Sequence, residues 1–138
     1  LLWSSPLGQN EPLGAAVSWG LIMALAYALG HVFSARAVYL NIGAMFGTIM
    51  VANVWMRCLP YQRKMIEITQ AGGKVDQSLA LRARRCSKHN TFMSVPLIFT
   101  MISNHYPATT FGQDAQCLIL GVLILGGWAA AKVIRDYL

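Results

Sequence analysis

Carboxylates are scarce in this chain. It carries five Asp and Glu against eleven Lys and Arg, and only 12% of its residues are charged, where an average soluble domain has roughly 25%. So few charges do not suit a water-soluble surface. No Asp or Glu falls inside a long apolar run, so a carboxylate relay across a membrane is not expected. Cysteine is sparse too: Cys58, Cys86 and Cys117 form no CxxC and no metal spacing, which reads as three free thiols. There is no phosphate-binding glycine loop, no HExxH and no CxxCH for covalent haem. The basic residues are not interleaved with aromatics, which excludes a nucleic-acid partner despite the net charge of +6.

What the chain has is apolar length. Of its 138 residues 56% are hydrophobic, and four segments approach the span of a bilayer: 13–33, 37–59, 91–106 and 116–133. The expected fold is an all-α, single-domain integral membrane bundle of four transmembrane helices over 1–138. The third segment is the shortest, and Pro96 inside it removes one backbone donor and is expected to kink it. Gly43 and Gly47 form a GxxxG pattern that supports close packing of the second helix. Leu1 rather than Met opens the sequence, which leaves upstream helices an open expectation.

Between the second and third segments lies an amphipathic polar loop, 60–88. It reads as two short surface helices, "YQRKMIEITQA" stopped by Gly72 and Gly73, and "DQSLALRARRCSK" with Asp76 as N-cap. Val75, Leu79, Ala83 and Cys86 share one stripe, leaving Arg82, Arg84 and Arg85 to meet anionic lipid or an acidic partner. A plain solvated loop that only fixes topology is the alternative. Eight of the eleven basic residues flank or fill this loop, Lys132 and Arg135 follow the fourth segment, and Arg36 stands alone on the other side. The positive-inside rule then puts the loop and both termini in the cytoplasm of a bacterial inner membrane.

That topology sorts the polar residues into two groups. His31, Asn41, Asn104, His105 and Tyr106 fall at the outer end. His31 is in line with Tyr27, Ala24 and Gly20, and His105 with Met101, Ile98, Ser94 and Thr91; both faces are expected to look inward. Two histidines on facing helices are able to hold a b-type haem, but the preferred reading is that each is hydrogen-bonded at an interface. Lipids or pigments at the helix surface are the other cofactor expectation. Asn53, Trp55, Arg57, His89 and Asn90 fall at the inner end, where an inter-helix hydrogen-bond cluster is preferred over a quinone or substrate pocket.

Two stretches together carry a resemblance: "ARAVYLNIGAMFGTIMVANVWMRCLPYQRKMI" and "SKHNTFMSVPLIFTMISNHYP". The region 35–107 resembles the membrane domain of the bacterial c-type urate oxidases, also called urate hydroxylases. The resemblance implies a membrane oxidoreductase module passing electrons from a purine to a cytochrome c. The patterned positions are Asn53, Trp55, Pro60, Gln62, His89, Asn90, Ser103, Asn104, His105, Tyr106 and Pro107. Family members carry further helices before this region and a C-terminal c-type cytochrome, so the expectation is that a separate partner delivers electrons.

Two functions follow from these readings. The favoured one is an accessory or structural subunit of a respiratory or photosynthetic electron-transfer complex, with other membrane subunits as partners. The other is the catalytic membrane module of a cytochrome c-linked urate oxidase.

Overall fold

The computed structural model describes residues 10–106 and 115–137. Helix α1 (Glu11–Gly30) opens with Pro12 in its first turn, where a missing N–H costs nothing. Helix α2 (Ala35–Asn53) follows after a short link. It does not stop at the end of its apolar run. Val54–Cys58 widens into a π-helical turn and continues as α3 (Leu59–Gln70). Pro60 accounts for the widening, because its ring cannot donate to, and would clash with, the carbonyl one α-turn back. The whole rod, Ala35–Gln70, has 36 residues. At 1.5 Å per residue it is about 54 Å long, well beyond a hydrocarbon core of about 30 Å.

Gly72 ends this rod with a φ of 74°, the left-handed conformation that favours glycine. The Gly73 N–H closes back on the Ile68 carbonyl at 2.9 Å. Asp76 then caps α4 (Gln77–Ile102), accepting from the Ser78 N–H at 3.3 Å. The Ser78 hydroxyl and amide hydrogen bonds hold the Asp76 carboxyl below its usual value. A 3-10 turn (Ser103–His105) ends α4, and α5 (Gln116–Tyr137) completes the described chain.

The expectation of two separate surface helices is corrected here. The first piece is the end of the α2–α3 rod, and the second is the start of α4, which runs unbroken through Pro96. The loop itself shrinks to residues 71–76. Among the described residues all regular structure is helical, and three stretches are long and apolar enough to cross a membrane: Glu11–Gly30, Ala35–Gln70 and Gln116–Asp136. The charged first half of α4 keeps that helix outside the group.

Helices α1 and α4 each pack against both α2 and α5, so the four make a ring around one core. Ile22 and Ala26 of α1, Val38, Tyr39, Ile42 and Phe46 of α2, and Leu120 and Ile124 of α5 fill it, with Met93 and Leu97 of α4 against them. Close approach depends on small residues at two crossings. A Cβ on Gly43 would stand 2.6 Å from Thr100 Oγ1, and one on Gly127 would stand 3.0 Å from the Pro96 ring. Tyr39 and Trp19 anchor α5 by donating to the Gln116 and Gly121 carbonyls at 3.0 and 3.2 Å. Buried Thr100 and Ser103 donate to their own helix, at 2.8 and 2.6 Å. No described buried side-chain polar atom is left without a partner, as an apolar surround requires.

Candidate functional site: the basic junction of the helices

The α2–α4 interface ends in a polar patch. Asn53 donates its amide to the Asn90 Oδ1 at 2.8 Å and to the Cys86 carbonyl at 3.1 Å. Asn90 in turn donates to the Met50 carbonyl at 3.3 Å. Both amides are thereby committed to groups across the interface, which fixes how far one helix can slide along the other. One turn further, Cys58 and Cys86 form a disulfide with their Cα atoms 5.7 Å apart. This corrects the reading of three free thiols: the two helices meet there and both cysteines face inward, whereas Cys117 on α5 is free.

Charged groups surround this patch. Lys88 forms an ion pair with Glu11 at the start of α1. His89 is half-buried and lies before the apolar part of α4, which begins at Thr91. Burial pushes its pKa below the ordinary value, and the neighbouring Lys88, Arg85 and Arg57 charges push in the same direction. Arg57 is partly buried in the π-helical turn. Trp55, expected in the same cluster, points away and is 72% exposed. It borders an open depression of about 450 Å³ along Leu59, Pro60, Arg63, Lys64 and Glu67. One helical rod supplies that whole lining, so no second element encloses it. Arg82, Arg84 and Arg85 are exposed, while Leu79, Ala83 and Cys86 turn towards the rod.

The outer group is more dispersed. His31 is exposed and meets Tyr27 edge-on, with ring centroids 4.7 Å apart. Gly20, Ala24 and Tyr27 are exposed with it, so the small-residue face of α1 looks outward, contrary to expectation; the inward face is that of Ile22 and Ala26. Met101 and Ile98, in line with His105, are also exposed, and α4 turns Pro96, Thr100 and Ser103 inward instead. Asn41 donates to the Ala37 carbonyl of its own helix at 2.8 Å. His105 and Tyr106 are exposed, and the Asn104 side chain and Pro107 lie outside the described residues. Among the described residues no group of three or more His, Cys, Asp or Glu stands ready for a metal ion.

A family model described as "Urate oxidase N-terminal" matches residues 1–138. The chain belongs to the urate oxidase N-terminal family. No curated protein and no solved structure matches it. The match extends beyond the region 35–107 that carries the sequence resemblance, taking in α1 and α5. In this urate oxidase N-terminal chain the family-patterned positions divide: Asn53, His89 and Asn90 gather at the basic junction, while His105 and Tyr106 lie at the opposite end of α4. The disulfide and Glu11 escaped the sequence reading, which took Arg135 only as a charge that sets topology. Position gave the missed signal for the cysteines, since Cys58 and Cys86 stand equally far from Gly72, the turn between two antiparallel helices.

Proposed function

We propose that this chain is a membrane-embedded helical module of a urate-oxidising electron-transfer assembly, acting as an accessory or structural subunit rather than catalysing alone. Its helices would cross the bacterial cytoplasmic membrane four times, α4 included, with the basic junction and both termini on the cytoplasmic side. Membership in the urate oxidase N-terminal family supplies the chemistry of the assembly. The Asn53–Asn90 network, which bridges α2 and α4, supports the structural role. Their amide hydrogens go to the Cys86 and Met50 carbonyls and to the Asn90 oxygen, which ties the two helices to each other.

The exposed apolar stripe of α5, with Leu118, Val122 and Leu125 on one side, suits lipid or a neighbouring membrane helix. A charged residue there would be costly. A second reading, a catalytic module passing urate electrons to cytochrome c, draws on half-buried His89 among cations that attract an anionic purine.

Purification of the native assembly separates the two. Co-purification with redox or pigment-binding subunits, together with the absorption spectrum, supports the subunit role. Urate consumption by this chain with a cytochrome c alone would overturn it.

A further inference from the structure

Beyond the π-helical turn the chain folds back on itself outside the span of a bilayer. Counted from Ala35, about 20 residues at 1.5 Å each cross a hydrocarbon core of about 30 Å. That brings the far edge of the core to Trp55, 72% exposed, at the level where aromatic side chains collect. Helix α3 carries the rod on to Gln70, and α4 returns beside it, held in register by the Cys58–Cys86 bridge. The two form a braced hairpin that stands clear of the core. Residues 59–87 hold six cations and two carboxylates, a net charge of +4 out of the chain's +6.

One side of this hairpin is exposed. The first half of α4 turns Leu79, Ala83 and Cys86 towards α3 and leaves Gln77, Leu81, Arg84 and Arg85 in solvent. Leu81 shares a helix face with Arg84 and Arg85, three and four residues on. It is 58% exposed, and neither arginine has an ion-pair or hydrogen-bond partner among the described residues. The face ends at Lys88, where the ion pair with Glu11 brings in α1.

The order of these residues selects the occupant. Helix α4 runs towards the membrane, so Leu81 stands about one turn, roughly 5 Å, further out than Arg84 and Arg85. A lipid surface needs the reverse, with the leucine sunk deepest and the cations reaching outward to phosphates. A protein interface has the observed form, an apolar contact beside arginines that donate to carboxylates.

We propose that the Leu81, Arg84 and Arg85 face of α4 docks an acidic soluble protein, which sets an apolar side chain on Leu81 and carboxylates on the two arginines. The inference rests on the membrane reading above and adds a partner for its basic end. The disulfide assists by fixing α4 against α3, so little ordering is needed on binding.

The test uses the full chain in phosphatidylcholine nanodiscs and, as probe, a fluorescent peptide of glutamates around one central leucine, followed by anisotropy at rising salt. Binding that weakens with salt is expected. Arg84→Gln and Arg85→Gln should each lower affinity about threefold, the scale of one exposed ion pair. Arg63→Gln, in the depression along α3, should leave it unchanged. A peptide with serine at its centre should bind more weakly, and Leu81→Ser should erase that difference. No binding overturns the proposal, as do an equal loss in Arg63→Gln and equal binding of the two peptides by the unaltered chain. Preferential retention of phosphatidylglycerol from mixed nanodiscs, counted by native mass spectrometry and lost in Arg84→Gln, assigns the face to lipid and also overturns it. Carbonate washing of chain-bearing membranes tests the underlying reading separately: release overturns both, whereas a retained chain that ignores the peptide overturns the docking surface alone.

Discussion

Asn53 on α2 and Asn90 on α4 are joined side chain to side chain at 2.8 Å, and each also donates to a backbone carbonyl of the other's helix. Removing the Asn53 amide leaves the Asn90 oxygen and the Cys86 carbonyl without that donor in a partly buried setting. Asn53→Ala is therefore expected to destabilise the bundle by about 1 kcal/mol, within the range for hydrogen bonds between membrane helices. Thermal unfolding in detergent checks this. A double-mutant cycle with Asn90→Ala should show non-additivity of roughly 0.6 kcal/mol. Strict additivity would mean that the amides act independently.

The two glycines of the GxxxG pattern are expected to differ. A Cβ at Gly43 would lie 2.5 Å from Met101 Cε and 2.6 Å from Thr100 Oγ1, and Thr100 is fully buried. At Gly47 the nearest atom is the Leu97 Cδ1, at 4.0 Å. Gly43→Ala should cost about 1–3 kcal/mol through overpacking, and Gly47→Ala should be close to neutral. Melting temperatures of the two variants side by side decide the matter; equal losses would show that GxxxG acts as a unit.

The helices were legible in the sequence because apolar length and Gly72, Gly73 and Asp76 are local signals. How the helices meet was partly legible for the same reason. Two antiparallel helices around one turn bring together positions equally far from it, and the observed pairs Asn53 with Asn90, Cys58 with Cys86, and Gly43 with Thr100 add to 143 or 144. What misled was treating 60–88 as a separate surface unit, which broke that register and hid the disulfide. The orientation of α1 was not legible. Its residues are apolar almost all round, so Gly20 and Ala24 on one face were as plausible inside as Ile22 and Ala26 on another, and only packing against α2 and α5 decided between them.

The disulfide is expected to be intact as isolated without reductant. Alkylation should label Cys117 alone, and labelling after reduction should add Cys58 and Cys86; mass spectrometry counts the adducts. The bridge spans a sequence separation of 28, for which the chain-entropy scale gives about 3–4 kcal/mol of stabilisation. Reduction should lower the unfolding midpoint accordingly. Disulfides persist in oxidising compartments, while the Lys and Arg excess favours the cytoplasmic side, so these two signals point to opposite faces. Three labelled cysteines on the freshly isolated protein would resolve the conflict in favour of the cytoplasm and make Cys58 and Cys86 a reduced pair in the cell.

His89 gives the bundle a pH dependence of defined sign. Its burial, with the neighbouring Lys88, Arg85 and Arg57 charges, holds its pKa in the fold below the ordinary value of 6.5. The unfolded chain therefore takes up a proton before the folded one does as pH falls. Stability is retained above 6.5, is lost progressively as pH drops from 6.5 towards the folded value, and levels off below it. Unfolding followed from pH 8 to pH 5 should show this slope in the unaltered chain and a shallower one in His89→Gln, whose side chain does not titrate. An identical slope in the variant would place the sensitivity elsewhere.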